Sequence, residues 1–600
     1  MILVAFVLSL LADGSAHAGS YDVPPWLLQS NLIALQFTRD LADRTPEVGS
    51  MLGYTDFDAL AIAVRDDLEK EDEVFFLKWS KIVQNFLKKE KHPELKRDFK
   101  LLDIVLKDQL ESVRLDRKYK MIPFYKFTHL VLNNLRMLDN PMMTDRVKSA
   151  ALRFHGYVKG VSGSKPLAEA YESRIRFLEK KYGKAQVTFP SLAEVEQYLR
   201  DSPAEFEEIH KILEKTKATG WQEDFDHFKA QAAKYNNFVK MEILPKAKKT
   251  DRLPLEVYRW LLRSKFIGSN ELSLIKTGRQ KYAETKKQMA VLSEKIGAEL
   301  GLKDRSPYSI IQALKTKQLT QASDVEKKFH EADVLLSRVI EQRSLVTLPD
   351  STLELRVSTP EESQLEPYPH LSYPPLAFSF GEKAFVILPV AVLGKNATDD
   401  FTYEAAVPEL LAHEGRPGHE VYFQTLMNGG ISVIRSRYGY SIPAVEGWAF
   451  YAEDLVYPQL PASAQLVVLQ MRAWAYARMF LDPEVHLGKM KTEEAIRILM
   501  QEMGLSQPVA ENEIRRYVSE DPGQGVGYGY GFLKILEAKE KAKKRLGRKF
   551  SERCFNDAVI ALGLLPIDWL DEELKSLKCP EQAPAFGDVA SRHNFGILRE

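Results

Sequence analysis

The densest run of chemistry-bearing side chains in the sequence is residues 410–420, Leu-Leu-Ala-His-Glu-Gly-Arg-Pro-Gly-His-Glu. A His-Glu doublet followed by a second histidine is the pattern of a zinc site: two neutral imidazoles bind the ion, and the glutamate between them serves as general base toward water. In the helical HExxH form the second histidine follows the first by four residues, whereas His419 follows His413 by six. Six steps turn an α-helix through about 600°, or about 240° around its axis, so a regular helix would point the two rings apart. Pro417 lacks the N–H that would bond the His413 carbonyl, and Gly418 tolerates unusual dihedrals. The spacing therefore predicts a widened or broken turn that returns His419 to His413.

A third ligand is expected at Glu446, 27 residues beyond His419 in Val-Glu-Gly-Trp-Ala-Phe-Tyr-Ala-Glu. Glu453, seven residues further on the same helical face, is placed to orient a ligating imidazole through its other ring nitrogen. Two histidines and a glutamate leave the fourth zinc position open, the arrangement of a catalytic site. Glu420 is an alternative oxygen ligand, because it shares a face with His413 on an undistorted helix; His419 is preferred. Taken singly, each of these residues reads as a polar loop or solvated helix position. Their combination is what points to a metal site. Arg478 and Arg516 are candidates to hold a substrate carboxylate by bidentate pairing, or else are structural ion pairs. Tyr368, Tyr373 and residues 378–385 either line a groove whose edge strand pairs with an extended peptide or belong to the core.

These motifs resemble the bacterial DUF885 family, whose members look like zinc metallopeptidases of the gluzincin type. Residues 413–420 are similar to its HExxPGHH element and residues 446–453 to its EGWALYAE element. Asp482, Pro483, Glu484, Val485 and His486 are similar to a DTGIH-like segment. Arg516 and Tyr517 through Pro522, Gly523, Gln524, Tyr528 and Gly531 follow an RYxxxPGQxxxYxxG pattern. Weaker similarity at Thr45, Pro46 and residues 52–58, and at residues 546–566, extends the resemblance over nearly the whole mature chain. Two positions depart from the pattern: Glu420 stands where the family has a second histidine, and Asn556 where it has histidine after phenylalanine. The resemblance implies that His413, His419 and Glu446 bind Zn²⁺ and that Glu414 is the base. Tyr528 and His486 become candidates to stabilise the oxyanion, and Asp482 and Gln524 supporting or substrate-binding candidates. Tyr528 lies in a glycine-dense stretch, residues 525–531, that reads either as a turn closing on the substrate or as a flexible connector before a helix at 532–546.

The elements that must position these residues are mainly helical. Residues 24–345 carry long stretches of helical spacing with many Lys/Glu pairs, such as 167–184 and 272–300, interrupted by prolines that suit helix boundaries. Between 351 and 392 the pattern turns to alternation and strand-like runs, which predicts a small sheet or hairpin beside the His413 helix. Helical spacing then holds to about residue 576. The expected organisation is a signal peptide at 1–18, a helical part at 19–344 and a catalytic part at 345–600, the last two able to form one integrated domain. Residues 1–11 are apolar but too short to span a membrane, and Ala16-His17-Ala18 is a small-x-small cleavage pattern. No cysteine follows it to carry a lipid, so a periplasmic or secreted protein without stable membrane insertion is expected.

Composition narrows the partners. With 83 Lys+Arg against 83 Asp+Glu, the chain carries no global basic field for nucleic acid. Its 600 residues include two cysteines, Cys554 and Cys579, too few for a Cys-rich metal site, so any metal falls to histidines and carboxylates. The two thiols either form one bridge or are unrelated. The leading expectation is an exported zinc-dependent peptidase acting on peptides. The alternatives are a binding or scaffold protein that keeps the fold without catalysis, and a zinc hydrolase of another amide or ester.

Overall fold

A computed structural model describes residues 24–580 apart from 140–143, 162, 375, 377–382, 393 and 395–397. The expected signal segment and most of the 378–385 run lie outside the described residues. The described chain is mainly α, with one three-stranded sheet.

Amphipathic spacing builds the N-terminal helices. Helix Leu68–Lys89 buries Phe75, Trp79 and Val83, spaced by four, against Leu95, Phe99, Leu102 and Leu106 of helix Pro93–Tyr119. The segment from Ala61 to Ile243 closes around its own aromatic-rich core, in which Phe127, Phe154, Phe228 and Tyr235 meet. Most prolines do sit at helix starts, as at Pro93 and Pro307. Pro203 is an exception, lying inside helix Leu192–Lys215. There it forfeits a single backbone bond, while Val195, Tyr198, Ile209 and Leu213 remain buried on both sides of it.

The largest core runs from Tyr258 to Leu574 and takes residues from both sides of position 344, among them Ile340 and Leu345. At its centre helix Ala462–His486 is buried all round and packs along helix Glu271–Glu299, where Gly278 lets Met479 and the Tyr476 carbonyl approach. The sheet caps this core. Strand β1 (Glu354–Val357) runs parallel to β3 (Phe385–Leu388), and β2 (His370–Ser372) pairs antiparallel on the other side, in the order β1-β3-β2. Val386 and Leu388 point into the core, and β2 is left as an edge. Cys554 and Cys579 are joined in a disulfide that ties the end of the described chain to helix Glu552–Ala561.

The N-terminal helices are locked to the C-terminal half through buried charge. Arg435 reaches across to Asp98 at 2.6 Å and Glu94 at 2.6 Å, and Ser30 donates to the second oxygen of Asp98, which has no exposed surface. Removing one member strands the other in a low-dielectric setting. Arg435→Ala is expected to cost about 3–5 kcal/mol, read as a lowered urea midpoint. Adding Asp98→Ala should recover part of that loss, and strict additivity of the two would show that the pair is not coupled.

Candidate metal centre

Helix Val407–Glu414 stops after the His-Glu doublet and a new helix, His419–Gly429, starts at the second histidine. Gly415 and Gly418 make the break possible. A Cβ at Gly418 would overlap the His413 carbonyl oxygen, so only glycine lets the chain fold back this closely. Trp448, fully buried, pins the loop by donating from its indole to the carbonyls of Pro417 (3.1 Å) and Gly418 (3.2 Å). The predicted broken turn is thus present, and it places the two imidazoles 4.9 Å apart and perpendicular.

Glu446 enters from helix Ile442–Val456, with Oε2 3.3 Å from His413 Nε2 and 3.6 Å from His419 Nε2. One ligand atom from each of the three lies within 4.8 Å of the others. Two turns along the same helix, Glu453 accepts a 2.6 Å hydrogen bond from His413 Nδ1. That bond holds a proton on Nδ1 and directs the Nε2 edge at Glu446. The donor set, two imidazole nitrogens and a carboxylate oxygen with an oriented ring, suits Zn²⁺. Electrostatics agree. Burial opposes charge on His413, but hydrogen bonds to Glu446 and Glu453 and the nearby Glu414 carboxylate push its pKa well above the imidazole range. Burial likewise opposes charge on Glu446, yet the two histidines hold its carboxyl well below the carboxylate range. The pocket is built around a positive charge.

Glu414 lies beside this set, 4.0 Å from His413 Nε2, and its Oε2 accepts the backbone N–H of Leu371 from β2 at 3.0 Å. The small sheet therefore does adjoin the His413 helix. Glu420 points elsewhere: it is buried in a two-bond ion pair with Arg416 (2.9 and 3.1 Å), so of the two ligand candidates only His419 joins the cluster. Asn556 is a buried brace, accepting from Tyr451 at 2.8 Å and donating to the Leu345 carbonyl at 2.8 Å.

The glycine-dense stretch is neither a turn nor a flexible connector. Residues from Val526 onward form the first turns of helix Val526–Leu546, and the glycines are buried helix-packing positions. Gly447 and Gly531 bring two backbones so close that a Cβ on Gly447 would lie 2.5 Å from the Gly531 carbonyl carbon. Tyr528 is thereby fixed at the site, its ring 6.0 Å from Phe450, which is itself 5.3 Å from the His413 ring. Burial and the Glu446 carboxylate raise its pKa, so the phenol stays protonated as a donor.

His486, expected beside the oxyanion, serves a different purpose. Its Nδ1 accepts from the Leu253 backbone N–H (3.4 Å) and its Nε2 donates to the Tyr517 carbonyl (2.9 Å), so both ring nitrogens are engaged with backbone. Burial lowers its pKa to about 4, and the ring is neutral. Asp482 accepts from Tyr258 (2.8 Å) and from the Gly523 N–H (2.7 Å). Together they brace the segment that carries Arg516 and Gln524, which hydrogen-bond each other.

Comparison with family models matches residues 46–574 to the bacterial proteins of unknown function grouped as DUF885. The chain belongs to the DUF885 family. Among solved structures it is similar to a protein of unknown function from Shewanella oneidensis, named provisionally as a lipoprotein, at 17% identity and a TM-score of 0.69 over 90% of this chain and 98% of that one. A second, from Colwellia psychrerythraea and also provisionally a lipoprotein, aligns at 16% identity and a TM-score of 0.70 over 92% and 98%. At these identities the likeness is one of fold. A search among curated proteins returns no match.

In this DUF885 chain two further groups border the site that sequence reasoning passed over. Glu409 lies one helical turn before His413 and within 4.8 Å of both it and Glu453. Burial and the Glu453 charge push its carboxyl well above the carboxylate range, so it keeps its proton. Tyr440 joins Tyr373 and Tyr528 around Glu446. The i, i+4 spacing of Glu409 and His413 was the available signal for the first; Tyr440 offered none. If this set holds zinc, His419→Ala should lose stoichiometric metal and Glu453→Ala should weaken its affinity about 10- to 100-fold, measured by competition with a chromophoric chelator. Glu420→Ala should retain zinc while lowering thermal stability, because Arg416 is left buried and unpaired. A greater metal loss in Glu420→Ala than in His419→Ala would reverse the ligand assignment.

Proposed function

We propose that this DUF885 chain is an exported zinc-dependent peptidase. The observation that carries the reading is the clustered His413, His419 and Glu446 set, with Glu453 on the far nitrogen of His413 and Glu414 beside it. Bound there, zinc would supply a Lewis acid for the scissile carbonyl and would acidify a water.

The protein's own groups account for the rest. Glu414 takes the proton of the attacking water as its oxygen bonds the carbonyl carbon, then gives that proton to the amide nitrogen as the C–N bond breaks. The Leu371 N–H holds one oxygen of Glu414, so the carboxylate is aimed before substrate arrives. Tyr528 donates its phenolic hydrogen bond to the oxygen on which negative charge develops. The edge strand β2 lies beside the same point, its Leu371 N–H already engaged by Glu414. Export is supported by the apolar start of the sequence with its Ala-His-Ala step and by the disulfide, which suits an oxidising compartment. Among the described residues no helix is long and apolar enough to cross a membrane.

The test is zinc analysis of the purified protein, together with digestion of a mixed peptide library with and without chelator. Stoichiometric zinc and chelator-sensitive cleavage are expected. Zinc with no peptide turnover would move the substrate to another amide or ester, and absence of zinc would sink the reading. Glu414→Gln should retain zinc and lose about 10²–10⁴ in kcat; full activity in that variant would remove Glu414 from the role of base.

A further inference from the structure

Beside Tyr528 two arginines share one carboxylate. Arg478, almost wholly buried, spends its charge on Glu513 through bonds of 2.5 and 3.2 Å, and its plane is stacked between Trp474 (4.3 Å) and Tyr528 (4.2 Å). Arg516 contributes a single 3.2 Å bond to the same Glu513, bonds Gln524, and lies close enough to the Tyr528 hydroxyl for each to act on the other's charge. Glu513 also accepts from Tyr517 at 2.8 Å, so its oxygens are filled. Two guanidinium groups on one carboxylate leave one positive charge over, and it resides on Arg516, whose side chain is 28% exposed against 7% for Arg478.

Among the described residues the acidic groups around it are engaged elsewhere, with Glu366, which also reaches Tyr368, 3.5 Å from His370. Glu520 is paired with Arg515 at 2.8 Å and Asp521 with Lys265 at 2.6 Å. Asp482 is engaged by Tyr258 and Gly523, and burial raises its pKa to about 7. Glu446 belongs to the candidate metal set and acts on the Tyr528 phenol as well. Arg516 lies within electrostatic reach of Tyr368, which is 46% exposed, so the cation sits near the surface.

Arg516 is one side chain beyond the phenol assigned to the scissile carbonyl. In an extended chain the next residue lies about 3.5 Å on, so a free carboxylate one residue past the scissile carbonyl would be the group to meet a cation beside Tyr528. Resting on the peptidase reading above, we infer that Arg516 binds the carboxylate at the C-terminus of the substrate, so that the protein removes single residues from carboxyl ends. The chemistry recognised is a carboxylate adjacent to the leaving side; an Asp or Glu side chain is the other source of it, and the two are separated by experiment.

The measurement is calorimetric titration of the zinc-loaded, full-length Glu414→Gln protein, which requires no turnover. The probes are an N-acetylated tetrapeptide with neutral side chains as free acid, the same peptide as C-terminal amide, and an amide bearing a penultimate glutamate. The free acid is expected to bind about 10- to 100-fold more tightly than the neutral amide, the range for a charge-assisted hydrogen-bonded pair. Adding Arg516→Gln should bring the acid to the level of the amide and leave the amide unchanged, and Arg516→Lys should restore part of the difference. Equal binding of acid and amide, equal weakening of both by Arg516→Gln, or no binding of either overturns the inference. Tight binding of the glutamate amide transfers the site to an acidic side chain and overturns the terminal assignment. A protein that prefers the acid but never cleaves peptides fails the peptidase reading alone, whereas chelator-sensitive cleavage of acids and amides alike fails this inference alone.

Discussion

Glu409, Glu414, Glu446 and Glu453 converge on one imidazole, and this buried concentration of acidic groups sets the terms for the surrounding structure. Two like charges about 4 Å apart repel by about 4 kcal/mol at an effective dielectric of 20, so the four cannot all be ionised without a compensating cation. The protein relieves part of the conflict itself. Glu409 keeps its proton, and His413 and His419 turn ring nitrogens toward Glu446, the placement that a shared divalent ion requires. The remaining negative charge is a standing demand for a cation at one point, and it holds only while the helices carrying the glutamates stay in place.

Rigidity is accordingly built in at the backbone. Gly418 sits on the His413 carbonyl, Trp448 clasps the loop between the histidines, and Gly447 against Gly531 brings helix Ile442–Val456 to near contact with the helix that carries Tyr528. A larger residue at any of these glycines would separate two groups of the site by the width of a methyl group. His486 and Asp482 extend the same logic outward by fastening Tyr517 and Gly523, so that Arg516, between them and Tyr528, has a fixed position.

How far this was legible depends on whether a residue's partner is local. Glu446 and Glu453 could be placed on one face from their spacing of seven, and the break between His413 and His419 followed from Pro417 and Gly418, because helical geometry alone fixes both. The glycine run 525–531 was misread because composition reports loop and helix-packing glycine alike; only the neighbouring helices, brought in from 442 and 475, distinguish them. His486 was misplaced for a similar reason. Its partners, Leu253 and Tyr517, are backbone groups remote in sequence, and no side-chain pattern records them. The helical class and the small sheet were legible from periodicity, whereas the integration of the parts on either side of 344 stayed open, since burial of Ile340 with Leu345 and residues beyond is a property of tertiary packing.

Equal numbers of acidic and basic residues mean that the molecule as a whole cannot draw a charged peptide from a distance, and at physiological salt fields fade within about 8 Å in any case. On the peptidase reading, discrimination would then arise at contact, from how charge is laid out beside Tyr528. That layout alternates: an anionic metal set, a neutral phenol at Tyr528, then the surplus cation of Arg516. A peptide's carboxyl end presents a polarisable carbonyl followed one residue later by a carboxylate, and the sequence of charges along the wall is its complement. On the same reading an internal peptide segment lacks the second group and would leave Arg516 with only Glu513 and Gln524, so that the arginine would favour a chain end over a chain interior.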